Sequence, residues 1–179
     1  LKRLIVGGME RVYEIARTFR NEGISPRHNP EFTMMELYQA FGDWNDMMDI
    51  TEELITTAAR DALGSTVIDV AGQPVDLADP WPRKRMIDYA SEGTGTELHP
   101  SMPVADARRV ADDHGVQVEQ RWGSGKIIEA LFEETSEAGI IRPTFVTGHP
   151  VEISPLARVD RADPFLTERF ELFVDGREL

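Results

Sequence analysis

The sequence predicts an α+β fold, an antiparallel β-sheet flanked by helices. Three observations point there. Two segments near the N-terminus alternate with a period of two and are joined by a loop rich in turn residues. The middle of the chain then changes to steps of three and four residues, the period of amphipathic helices. The last part returns to short extended stretches, without regular βαβ alternation along the chain.

Residues 11–22, RVYEIARTFRNE, form the first predicted strand. Tyr13, Ile15, Arg17 and Phe19 share one parity and make a mostly apolar, packed face; Glu14, Ala16, Thr18, Arg20 and Glu22 share the other. Residues 23–31, GISPRHNPE, hold a glycine and two prolines and read as a loop. Residues 32–41 alternate again, with Phe32, Met34, Glu36, Tyr38 and Ala40 against Thr33, Met35, Leu37, Gln39 and Phe41, the second set being the better core face. The expected unit is a long antiparallel hairpin.

From 43 to 63, Met47, Ile50, Leu54, Ala58 and Ala62 recur at helical spacing and Gly64 stops the helix. Residues 66–77 read as a short hairpin around Gly72 and Pro74. Helices follow near 84–91, over 104–113 and over 125–138, the last with Ile127, Ile128, Leu131 and Phe132 on one side. Residues 143–158 read as an extended segment and a turn, and 168–174 as a strand before an Asp-Gly turn. The whole of 1–179 reads as part of one catalytic-type domain: a hairpin at 11–41, a mostly helical region at about 43–140 and later strands at about 143–179. A start at Leu1 and an end inside a strand read as an internal fragment.

Composition narrows the chemistry. A hydrophobic fraction of 41% supplies a core. Cysteine is absent, which excludes disulfides, thiolate zinc sites and thiol nucleophiles, and fits a cytoplasmic chain. No apolar run or cleavable leader marks a membrane or secretory segment. A net charge of −13 argues against broad binding of nucleic acid through this segment, because neutralising phosphates needs clustered Lys and Arg.

The charged parity of the hairpin is the candidate site. If both strands present it to one side, Arg20, Glu22, Glu36, Tyr38 and Phe32 floor a pocket. A guanidinium fork suits a phosphate or carboxylate, a flat ring suits a base, and carboxylates beside a phenol suit an ammonium group. The plainer reading is a solvated strand face, with Tyr38 packing and His28 at the surface of a loop. His99, His114 and His149 lack ligand spacing and read as surface residues. GSGK, at 123–126, faintly resembles a phosphate loop, but it lacks the full spacing and the Ser or Thr after the lysine, and reads as a helix start.

The string FRNEGISPRHNPEFTMMELYQAFGDWND, residues 19–46, resembles motif 2 of the bacterial-type class II lysyl-tRNA synthetases. LKRLIVGGMERVYEI before it and PTFVTGHPVEISPLARVDRADPFLTERFELFVDGREL, residues 143–179, resemble the same catalytic domain in the same order; the likeness is weakest over 65–120. The Arg-x-Glu and PEFT signals belong to the wider aspartyl, asparaginyl and lysyl subgroup, whereas RHNPEFTMMELY with SPLAR and GREL is closer to lysine. The resemblance implies a ligase that activates L-lysine with ATP and passes the lysyl group to the 3′ end of tRNA, in a cytoplasmic homodimer with no membrane partner. It implies Arg20 on the α-phosphate and the lysine carboxylate, Glu22 and Asn29 at the adenine, Phe32 stacked on the adenine, and His28 near the triphosphate or base. It implies Glu36 on the α-ammonium, Tyr38 on the ε-ammonium and Glu178 as a ligand of the Mg²⁺ that accompanies ATP.

The same resemblance places the first family motif before Leu1. It places a second Mg²⁺ carboxylate, a further ε-ammonium carboxylate and the motif 3 arginine after Leu179, and an anticodon-binding domain outside the chain, so this segment alone is expected to be inactive. The rival expectations are a paralogue attaching a lysine-like group to elongation factor P and a non-catalytic, synthetase-like binding domain.

Overall fold

The computed structural model describes residues 1–21, 23 and 29–179. These residues form two compact units, Leu1–Asn45 and Asp46–Leu179.

The first unit is a short helix α1 (Lys2–Val6) followed by strands β1 (Arg11–Phe19) and β2 (Glu31–Gln39). The strands pair antiparallel with Arg11 opposite Gln39 and Phe19 opposite Glu31. The ladder runs one step further, because the Arg20 N–H donates to the Pro30 carbonyl at 2.9 Å. The alternation thus identified both strands and their two faces, but it misjudged which face is covered. Tyr13, Ile15 and Phe19 are 72%, 64% and 70% exposed, and Met35 is 39% exposed. Val12, Ala16, Thr18, Phe32, Met34 and Tyr38, on the opposite face, are half-buried. The reason is that alternation reports a face as apolar without reporting that another element packs on it, and in this two-stranded sheet the side carrying Tyr13, Ile15 and Phe19 is left open.

The second unit begins with the long helix α2 (Trp44–Leu63), whose first two residues fall in the first unit. Its innermost residues are Met48 and Thr56 rather than the expected Leu54, Ala58 and Ala62, of which Leu54 is 41% exposed. Thr56 is tolerated inside because its hydroxyl donates to the Leu77 carbonyl at 2.9 Å, so nothing polar is left unpaired there. Strands β3 (Val67–Val70) and β4 (Gln73–Asp76) form the expected hairpin. Its two turn residues, Ala71 and Gly72, have φ of 51° and 79°, the two positive angles of a type I′ turn, and the Gly72 N–H donates to Asp69 Oδ1 at 3.0 Å.

The core lies in the rest of this unit. Strands β5 (Arg83–Arg85), β6 (Thr144–Thr147), β7 (Phe170–Val174) and β8 (Arg177–Glu178) form one sheet in that order. β6–β7 and β7–β8 are antiparallel, whereas β5–β6 is parallel, so this sheet is mixed. The parallel pair follows from its connection. β5 is joined to β6 through helices α3 (Met86–Thr94), α4 (Val104–Asp113) and α5 (Ser124–Thr135), a crossover long enough to return the chain in the same direction.

Phe132 of α5 is 1% exposed and meets Phe173 of β7 edge to face with centroids 5.5 Å apart. Ile127, Ile128 and Leu131 are fully buried beside it, the stripe the sequence predicted. Across the sheet from Phe173, Phe145 packs against Trp81 and Phe170 at 5.5 and 5.3 Å. None of the described helices is long and apolar enough to cross a membrane.

Candidate active site

Register decides which hairpin side chains look the same way. Directly opposed residues of an antiparallel ladder share a face, so Glu14 with Glu36, Ala16 with Met34, Thr18 with Phe32 and Val12 with Tyr38 all lie on one side. Arg20 continues this side, and its guanidinium sits over the Phe32 ring, 5.3 Å from the centroid. The structure therefore brings Arg20, Phe32, Glu36 and Tyr38 onto a single face, floored by the small side chains of Ala16 and Thr18. A cation already lies against its far end: the Lys2 ammonium is 5.8 Å from the centroid of the Tyr38 ring. Arg17 and Glu31 pair at 3.3 Å on the opposite face and take no part. Asn29 is exposed. Glu22 and His28 lie outside the described residues.

The face offers three kinds of recognition in sequence along the strands. The guanidinium is a fixed-fork donor for oxyanions, the adjacent ring is a stacking surface, and the carboxylate and phenol are acceptors for an ammonium group.

Glu178 belongs to the second unit. It is exposed on β8, opposite Phe173. Glu171 of β7, which sequence reasoning did not single out, has the same parity as Phe173 and so shares its face. Its side chain is 16% exposed and pairs with Arg169, whose Nη1 also donates to Ser154 Oγ at 2.7 Å. The signal was available: the alternation of FELFV, set against the Asp-Gly turn, fixes that parity. Among the described residues, no three His, Asp or Glu side chains converge on a common point that would enclose a metal ion. A single exposed carboxylate still suits Mg²⁺, which commonly takes one or two protein carboxylates and fills its remaining positions with water and phosphate oxygens.

The histidines are not all surface residues. His149 is 1% exposed. It follows Gly148, whose φ of 64° turns the chain inward, and its Nε2–H donates to the Val146 carbonyl at 3.2 Å. Burial, reinforced by the Arg169 guanidinium, lowers its pKa from 6.5 to about 4 against the opposing bond to Val146, so the ring is neutral at pH 7. His99 is partly buried and donates from Nε2 to Asp163 Oδ2 at 2.8 Å, while its Nδ1 accepts from the Ser101 hydroxyl at 2.6 Å. Among the described histidines, only His114 is exposed, its Nδ1 bonded to the Val110 carbonyl of its own helix. Spacing in sequence could not see these burials, because each depends on packing between distant segments.

With this arrangement in place, the comparison with known proteins is direct. Residues 1–179 match the family described as tRNA synthetases class II (D, K and N), and the chain belongs to that family. It is 50% identical over 178 residues to the lysine–tRNA ligase of Bacillus subtilis (strain 168). It is 47% identical over 178 residues to the lysine–tRNA ligases of Staphylococcus aureus strains N315 and COL. Each comparison covers 99% of this chain and 36% of the relative, so the chain spans about a third of the length of the curated relatives it matches.

Proposed function

We propose that this chain is the central part of the catalytic domain of a lysine–tRNA ligase, a cytoplasmic homodimer acting on ATP, L-lysine and tRNA. The observation that carries the reading is the shared face of Arg20, Phe32, Glu36 and Tyr38, in a chain similar along 99% of its length to lysine–tRNA ligases. That similarity favours this reading over a ligase for elongation factor P or a domain that only binds.

In the first step the lysine carboxylate attacks the α-phosphorus of ATP and pyrophosphate leaves. Arg20 holds the carboxylate and the α-phosphate together and offsets the negative charge that builds up between them. Phe32 stacks on the adenine, which Glu22 and Asn29 flank, and His28 serves the triphosphate or the base. Glu36 receives the α-ammonium and Tyr38 the ε-ammonium. Mg²⁺ arriving with ATP would neutralise phosphate charge, and Glu178 is the ligand this chain supplies. In the second step the terminal ribose hydroxyl of tRNA attacks the carbonyl carbon of the adenylate and AMP leaves. Neither step needs a covalent nucleophile from this segment.

Lysine-dependent exchange of pyrophosphate into ATP, measured on a protein of the relatives' full length that contains this chain, tests the reading. Arg20→Ala should lower the exchange rate by about 100- to 1,000-fold, the usual consequence of deleting a group that stabilises transition-state charge. Near-normal exchange in that variant with an unchanged melting temperature would refute the assignment, as would exchange driven by an amino acid other than lysine.

A further inference from the structure

The Gly-Ser-Gly-Lys stretch is a helix start, yet its amides do bind an anion, and that anion is internal. Glu152, in the single helical turn Val151–Ile153, reaches the first turn of α5. Its Oε1 accepts the Gly123 N–H at 2.8 Å and its Oε2 accepts the Lys126 N–H at 3.2 Å. These are the N-cap amide and the amide three residues into the helix, the two donors that a capping box satisfies with local side chains. Here the cap residue is Gly123, which has no side chain, and one carboxylate from 26 to 29 residues away serves both. The glycines make room for it. A Cβ on Gly123 would stand 2.6 Å from Glu152 Oε2, and one on Gly125 would stand 2.8 Å from Pro150 Cβ and 3.0 Å from Glu152 Oε2.

Contacts other than those of Glu152 also hold the nest. Arg108 of α4 donates from Nη2 to the carbonyls of Glu119, Gln120 and Trp122 at 3.0, 2.9 and 3.2 Å, which holds the approach to Gly123. The Ser124 hydroxyl donates to the Met102 carbonyl at 2.7 Å, which fixes the next residue. Glu152 in turn leads to the sheet. Two residues on, Ser154 accepts at Oγ from Arg169, and Arg169 pairs with Glu171 on β7. The Ser154 N–H donates to the Val151 carbonyl at 3.1 Å and the Ala157 N–H to the Ser154 carbonyl at 3.0 Å, so Glu152 and Ser154 sit in one hydrogen-bonded turn.

We propose that Glu152 is a positioning residue, the resident anion of the α5 amide nest, which sets Ser154 and Arg169 and thereby aims the Glu171 carboxylate on the strand that leads to Glu178. The link to ATP rests on the function proposed above, in which Glu178, on the strand β8 that pairs with β7, serves the nucleotide.

The test is Glu152→Ala, with Glu152→Gln as a milder variant that keeps one acceptor oxygen, in the full-length protein. Formate is the probe, because it is a carboxylate small enough to enter the emptied nest. Loss of the anion should lower the melting temperature and expose the Gly123 and Lys126 amides to hydrogen exchange, and formate, but not chloride, should restore both. In lysine-dependent exchange, the KM for ATP should rise about tenfold with the KM for lysine unchanged, the pattern of a carboxylate misplaced on the nucleotide side, and formate should reverse it. Equal changes in both KM values, or a lowered melting temperature that formate does not recover, would overturn the positioning role. If the parent protein shows no lysine-dependent exchange, the proposed function fails, while formate-dependent recovery of melting and amide protection still decides whether Glu152 fills the nest.

Discussion

Lowering the pH should destabilise this protein through His149 in a way that one substitution removes. The ring is buried and neutral, with its pKa lowered from 6.5 to about 4. A folded-state pKa below the unfolded value means that the unfolded chain takes up the proton first as pH falls. The group therefore has almost no effect on stability above about pH 7 and a growing cost below it. Linkage gives about 2 kcal/mol of lost stability at pH 5 and about 3 kcal/mol at pH 4, since each tenfold difference in proton affinity between the folded and unfolded chain corresponds to ~1.4 kcal/mol. His149→Gln removes the titration and keeps a side-chain N–H that reaches toward the Val146 carbonyl. The carboxylates that titrate in the same range are present in both proteins, so the difference between their urea unfolding free energies reports His149 together with its interaction with Glu171, whose Oε2 lies 3.8 Å from Nε2. That difference should be flat from pH 8 to about 7 and should then move by about 3 kcal/mol in favour of the variant by pH 4. A difference that stays constant over the whole range would mean that the ring is accessible to protons in the folded state, and would refute its burial against Arg169.

Two further outcomes follow from other parts of the molecule. Tyr38→Phe keeps the ring and removes the hydroxyl, so the KM for lysine in exchange should rise while that for ATP changes little; equal losses for both substrates, or none, would make Tyr38 a packing residue. Phe132→Ala empties a site that is 1% exposed and abolishes the edge-to-face contact with Phe173, and denaturant unfolding should show a loss of about 3–5 kcal/mol, whereas a loss below ~1 kcal/mol would mean that α5 is not the centre of the core.

Much of this protein was legible in its sequence, because the relevant information is local. Alternation over 11–22 and 32–41 found both strands of the hairpin and put Arg20, Phe32, Glu36 and Tyr38 on one parity, since a period of two fixes the face of every residue once two strands are in register. Helical spacing found α4 at its observed ends and the apolar stripe of α5, and the strings around PEFT, SPLAR and GREL carried the family. What the sequence could not fix depends on which surface meets which. The apolar parity of Tyr13, Ile15 and Phe19 looked like a packed face and is exposed, because a pattern reports that a face is apolar and not that another layer covers it. His149 looked like a surface residue and lies in the interior, held by a turn at Gly148 and a carbonyl of β6. The Gly-Ser-Gly stretch owes its glycines to a carboxylate from 26 to 29 residues further along the chain, a close approach that no local period encodes and that only the folded chain brings about.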